Sequence, residues 1–280
     1  MKSLKYICLS LVALLAVACG DDDFEPGKPA SGSDVQVTFS EDNDIKQVVG
    51  MDEDTVYVTL QRTGNTDKAL EVPVTLGGDK SVFSGASTVK FEAGEEEAEY
   101  AIKLSSTMKP FNNYKVQLIV DEAYGNPYAA AEGDPMPQLD LTILREDYKV
   151  VATGIYQDPA FHEQQWEQDL EYSAIRNLYR MSDCFAAGTG IHFLFDGTNF
   201  SLADESGKAS ESVFSGYVHP TYGNVMINVD PDSPMGYTSE VQDAEGVFYF
   251  TCTFDVSVGS FGGGEECYYI TEWYEKPWEE

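Results

Sequence analysis

The chain is 280 residues long and carries 48 acidic against 17 basic side chains, a formal net charge of −31 at pH 7. A field of that sign repels phosphate backbones and anionic lipid, so nucleic-acid binding is excluded; a solvated surface and an attraction for divalent cations both remain as readings. The length exceeds that of most single sandwich domains and suits two.

The chain opens with Lys2 and Lys5, then a nearly unbroken apolar run from Tyr6 to Val17. That run is shorter than the ~20 apolar residues a membrane-spanning helix needs, and small residues close it, as in an export signal. The sequence Ala16-Val17-Ala18-Cys19-Gly20 resembles the lipobox of bacterial lipoproteins, with Leu15 one place earlier than the usual leucine. The resemblance implies cleavage before Cys19, acylation of Cys19 with palmitate-type chains, and attachment to the membrane through that N-terminal lipid. Asp21-Asp22-Asp23 resembles the signal that sends lipoproteins of Bacteroidetes-type bacteria to the outer face of the outer membrane; a plain solvated linker is the other reading. Residues 1–18 are thus expected to be a signal peptide and 19–34 a lipidated tether, its Pro/Gly/Ser content keeping it slack.

From residue 35 to 147 apolar residues recur at every second position: Val56, Val58, Leu60; Val72, Val74, Leu76; Ile102, Leu104; Tyr114, Val116, Leu118, Val120; Leu139, Leu141, Ile143. This period predicts strands, and the breaks Thr63-Gly64-Asn65, Gly77-Gly78-Asp79, Ala93-Gly94-Glu95 and Tyr124-Gly125-Asn126-Pro127 predict turns. With no helix to cover a parallel sheet, an antiparallel sandwich is expected. The stretches Val56–Gly64, Val72–Thr75, Val89–Glu95 and the closing Leu141–Asp147 resemble a Calx-beta domain. Members of that family bind calcium through acidic residues at one end of the sandwich, which the resemblance places on Glu146 and Asp147. Calcium takes 6 to 8 oxygens, so this pair alone does not suffice, and an ordinary acidic loop is the alternative.

Near Tyr148 the texture changes, from 10 aromatic residues in 20–147 to 23 in 150–280. Residues 148–280 are expected to form a second, aromatic-rich β domain. Gly190–Asp196 and Phe200–Leu202 flank the turn Asp196-Gly197-Thr198-Asn199, a hairpin by turn chemistry. Val225, Ile227 and Val229 alternate, as do Phe248, Phe250, Cys252, Phe254, Val256 and Val258, so Cys252 reads as a core thiol. Ser257–Gly264 reads as a flexible turn before a closing strand, Glu266–Trp273. Trp166–Met181 is assigned to strands, because Tyr179–Phe185 and the glycine turn behind it resemble a module of Bacteroidetes surface lipoproteins. Cys184, Cys252 and Cys267 allow at most one disulfide, or three buried thiols.

Catalytic motifs are scarce. His162, His192 and His219 have no second ligand at recognised metal spacing, and no nucleophile elbow, phosphate loop or dinucleotide fingerprint occurs. The expectation is therefore no enzyme, a carboxylate pair of the glycosidase type being the one catalytic alternative. Trp166, Trp273, Tyr274 and Trp278 lie among acids and amides, a composition that suits sugar rings; packing in the core is the competing reading. The sequence thus describes an all-β, outer-membrane lipoprotein with two antiparallel sandwich-like domains in tandem, facing the cell surface. Its expected role is binding or adhesion toward a glycan or protein, with a structural spacer as the alternative.

Overall fold

The computed structural model describes residues 35–125, 137–230 and 232–279. The expected signal peptide and tether, with Cys19, and part of the expected turn at 124–127 lie outside them. Alternating burial becomes strand after strand, and no α-helix forms among the described residues. None is therefore long and apolar enough to cross a membrane.

The first nine strands are β1 (Gln36–Phe39), β2 (Lys46–Val49), β3 (Thr55–Thr63), β4 (Leu70–Gly78), β5 (Phe83–Gly85), β6 (Thr88–Phe91), β7 (Glu97–Leu104), β8 (Asn113–Val120) and β9 (Gln138–Arg145). They form sheets ordered β1-β3-β7-β5 and β2-β9-β8-β4-β6. Pairing is antiparallel except between β2 and β9. Val56, Val58 and Leu60 of β3 and Ile102 of β7 meet Val116, Leu118, Leu141 and Ile143 of the other sheet in one core. Fully burying each such side chain contributes about 1.5–3 kcal/mol, which is what the period-2 pattern encodes.

The next ten strands are β10 (Lys149–Asp158), β11 (Gln164–Ser173), β12 (Leu178–Ala186), β13 (Thr189–Phe195), β14 (Phe200–Ala203), β15 (Ser212–His219), β16 (Gly223–Val229), β17 (Gly236–Thr238), β18 (Gly246–Val256) and β19 (Gly259–Trp273). In place of two facing sheets they make one sheet, ordered β14-β13-β12-β11-β10-β19-β18-β16-β15, with β17 beside β18. The sheet curls until its ends approach: Ala203 bridges Ala209, and Gly216 of β15 lies against Thr189 of β13. The result is barrel-like, and its inner side chains, among them Tyr156, Tyr179, Phe193, Phe254 and Tyr268, form a second core that shares no buried residue with the first.

Two expectations change here. Gly262, Gly263 and Gly264 are not a flexible turn but part of the 15-residue β19. A Cβ on Gly263 would lie 2.3 Å from the Cys252 carbonyl oxygen, so glycine serves close strand approach there. Val258 leaves the inward series, because the chain turns after Val256 and leaves it exposed. The three cysteines are free and buried, and burial pushes the Cys267 thiol up to about 11.

Candidate functional site

The acidic pair at the end of β9 is spent on joining the two units. Glu146 Oε2 lies 2.7 Å from Arg180 Nη1, while Glu171 Oε2 takes Arg180 Nε at 2.6 Å. The same guanidinium lies over the Tyr148 ring at 3.7 Å. Asp147 accepts from Ser173 Oγ at 2.5 Å and from the Ile175 N–H at 2.9 Å, so it caps the turn between β11 and β12. Arg176 completes the joint, its guanidinium 3.8 Å from the Phe111 ring of the first domain. Glu146 and Asp147 thus do not fit the calcium role that the family resemblance implies: their oxygens serve an arginine and a turn of the second domain. Buried Arg145 donates to the Glu53 carbonyl at 2.6 Å, placing a cation at the same end of the sandwich. Among the described residues no group of three or more His, Cys, Asp or Glu is placed to hold a metal ion.

The four aromatic residues singled out in the sequence do not converge. Trp273 pairs with Ala152 near the start of β10, and Trp278, carried by a 3-10 turn at Pro277–Glu279, packs edge-on against Trp273 and Phe195, each at 4.8 Å. Tyr274 is exposed beside them. Trp166 lies further along the barrel, opposite Tyr156 of β10 and stacked on its ring at 5.1 Å.

At that far end the chain builds a tight turn between β10 and β11. Asp158, with no exposed surface, accepts at Oδ1 from the N–H groups of Ala160 (3.1 Å) and Phe161 (2.7 Å). Its Oδ2 accepts from the His162 N–H at 3.0 Å and lies 2.6 Å from His162 Nδ1. A left-handed residue, Glu163 at φ 54°, then returns the chain to β11. The β10–β19 register runs through Tyr156–Tyr268 and Gln157–Cys267, so its next step sets Glu266 against Asp158. Glu266 is also fully buried, facing Asp158 and Tyr156. Burial first, and then the charge of Asp158, push Glu266 up to about 9. Burial thus favours its neutral, protonated form.

Around this turn stands a group of rings. Phe161 stacks on core Phe254 at 4.8 Å and meets Tyr217 and Phe261, each at 5.6 Å. Phe261 lies 5.4 Å from His219, which stacks on Tyr222 at 4.7 Å. Tyr222 is 46% exposed and Phe261 40%. The β10–β11 turn itself borders an open cleft of about 530 Å³, lined by Gln157, Asp158, Pro159, Glu163, Gln164 and Gln165. Half-exposed rings supply flat apolar faces, and the carboxamides of the turn supply donors and acceptors.

Sequence reasoning missed this assembly, because Tyr222 comes from the β15–β16 turn and Phe261 from the start of β19, and neither stands in an acidic context. One signal was present: Asp158-Pro159-Ala160-Phe161-His162 joins two alternating runs, and an aspartate opening such a turn caps the following N–H groups.

No family model and no curated protein matches the chain. Among solved structures, the apo form of the Calx CBD1 domain is 14% identical, over 41% of this chain and 100% of that one, with a TM-score of 0.29. A Bacteroides ovatus protein of unknown function is 10% identical over 84% and 89% of the two chains, TM-score 0.35. An auxiliary nutrient-binding protein from Bacteroides thetaiotaomicron is 9% identical over 81% and 90%, TM-score 0.29. Likeness at these values assigns no ligand or partner.

Proposed function

We propose that the protein is a lipid-anchored binding module of the outer membrane, held at the cell surface, whose second domain takes a saccharide at the Asp158 end of its barrel. The address rests on residues 1–23, with Cys19 as the acylated residue. The binding reading rests on one observation: Tyr222 and Phe261 both stay exposed although they gather with His219 and Phe161 in one group of rings. Scattered exposed rings need no explanation, but exposed rings gathered at one end of a barrel mark an interaction site. A surface this acidic favours a neutral ligand over an anionic one.

Affinity electrophoresis through gels containing neutral plant and yeast polysaccharides tests the site. Retardation by at least one polymer is expected, with Tyr222→Ala and Phe261→Ala each weakening it about tenfold, the ~1–1.5 kcal/mol worth of a ring contact. Retention that survives both substitutions excludes this surface as the site. The anchor is tested separately, by metabolic labelling with a palmitate analogue. Label is expected in the wild-type chain and none in Cys19→Ala; equal labelling of both would remove the lipid.

A further inference from the structure

The two imidazoles at this end are held in opposite tautomers. Around Asp158, the three N–H groups of Ala160, Phe161 and His162 can only donate, and a carboxylate can only accept. The fourth partner, His162 Nδ1 at 2.6 Å from Oδ2, must therefore donate as well. In the neutral ring that leaves Nε2 with a free lone pair. His219 is wired the other way. Its Nδ1 accepts from the N–H of Thr221 at 3.1 Å and of Tyr222 at 3.3 Å, so the proton of the neutral ring is on Nε2. Among the described residues neither Nε2 atom has a protein partner.

The rings between them are Phe161, 4.7 Å from His162, and Phe261, 5.4 Å from His219. We infer that His162 Nε2, as acceptor, and His219 Nε2–H, as donor, form a recognition pair that reads two hydroxyls of a saccharide lying across Phe161 and Phe261. A hydroxyl can serve at either end, because it both donates and accepts. An ammonium group would satisfy His162 alone and an anion His219 alone, so the pair favours neutral ligands, and a saccharide offers a hydroxyl to each nitrogen. This rests on the reading of the barrel end as a saccharide site.

The test uses protein labelled with 15N-histidine, its three imidazoles assigned through single His→Gln variants. At a pH where imidazole is neutral, long-range 1H–15N spectra are expected to show His162 protonated on Nδ1 and His219 on Nε2. Hydrolysates of mannan, xylan and β-glucan are then added. The binding hydrolysate is expected to move both Nε2 signals, and His162→Ala and His219→Ala are each expected to weaken retention about fivefold to tenfold. Identical tautomers, or retention unchanged in both variants while the wild type still binds, overturns the pair and leaves the site standing. A wild type that binds none of the hydrolysates overturns the site and the pair together.

Discussion

Glu266→Gln is expected to abolish a loss of stability that the wild type suffers as pH rises from about 4.5 toward about 9. In the unfolded chain the carboxyl titrates near 4.5, while in the fold burial and Asp158 hold it up at about 9. Between those values the unfolded state has released a proton that the native state keeps, so stability is fully present below the lower value and falls as pH rises. At about 1.4 kcal/mol per unit, the wild type should lose on the order of 4 kcal/mol relative to the variant between about pH 5 and about pH 8. The amide itself brings two donors into a dry place, so the slope rather than the absolute stability is the quantity to compare. Urea midpoints across pH measure it, and parallel curves for the two proteins would refute a protonated Glu266. His192 works in the opposite sense. Burial, with Arg180 and then Arg176, lowers it to about 4, so its contribution is lost as pH falls from about 6.5 to about 4. The two slopes oppose each other in the acid range, which leaves the wild-type profile flatter there than either group alone would make it.

Arg180→Ala should uncouple the two units. One guanidinium satisfies Glu146 from the inter-domain connection and Glu171 from β11 while lying over the Tyr148 ring, and the three side chains of the ion-pair group are between 12% and 19% exposed. Its removal leaves two carboxylates facing each other across a poorly hydrated joint, a loss of about 2–4 kcal/mol. Because the two cores share no buried residue, that loss is expected at the joint first. Chemical denaturation should change from one transition to two, and small-angle scattering should show a wider distribution of inter-domain distances. A single unshifted transition would mean that Arg180 contributes nothing to the joint. Arg180→Lys is expected to recover little, since a point charge cannot meet two carboxylates and cover a ring at once.

Strand content was legible residue by residue, because a one-residue slip would turn an entire apolar series to water: Val56, Val58 and Leu60, or Phe248, Phe250, Cys252 and Phe254, allow one facing only. The same parity holds for Glu266, which shares the inward series of Tyr268 and Ile270; a lone acid in such a series marks a buried charge site, although nothing local tells which partner it meets. What was not legible depends on contacts across long sequence separations. Glu146 and Asp147 read as terminal acids until Arg180 and Ser173 arrive from 34 and 26 residues away. The glycines of β19 read as a turn because loops and tightly apposed strands both call for a missing side chain, and only the Cys252 carbonyl distinguishes the two. Trp273 and Trp278 looked available among acids, yet they pack on each other, Trp278 also on Phe195 and Trp273 on Phe248, contacts that require the closed sheet.

Strand β10 starts at the Tyr148 joint and ends at Asp158, ten residues later, hydrogen-bonded to β11 on one side and to β19 on the other. Mechanically this is a shear arrangement. If a polymer pulls at the Asp158 end while the lipid holds the N-terminus, tension runs along β10, and its inter-strand hydrogen bonds, which lie across the strand, resist together rather than opening one at a time. The C-terminal end of β19, set beside Ala152, hangs outside that line of force. A domain tethered this way would meet drag on its ligand with its most cooperative interactions, and the first thing to yield under tension would be the Arg180 joint rather than the barrel.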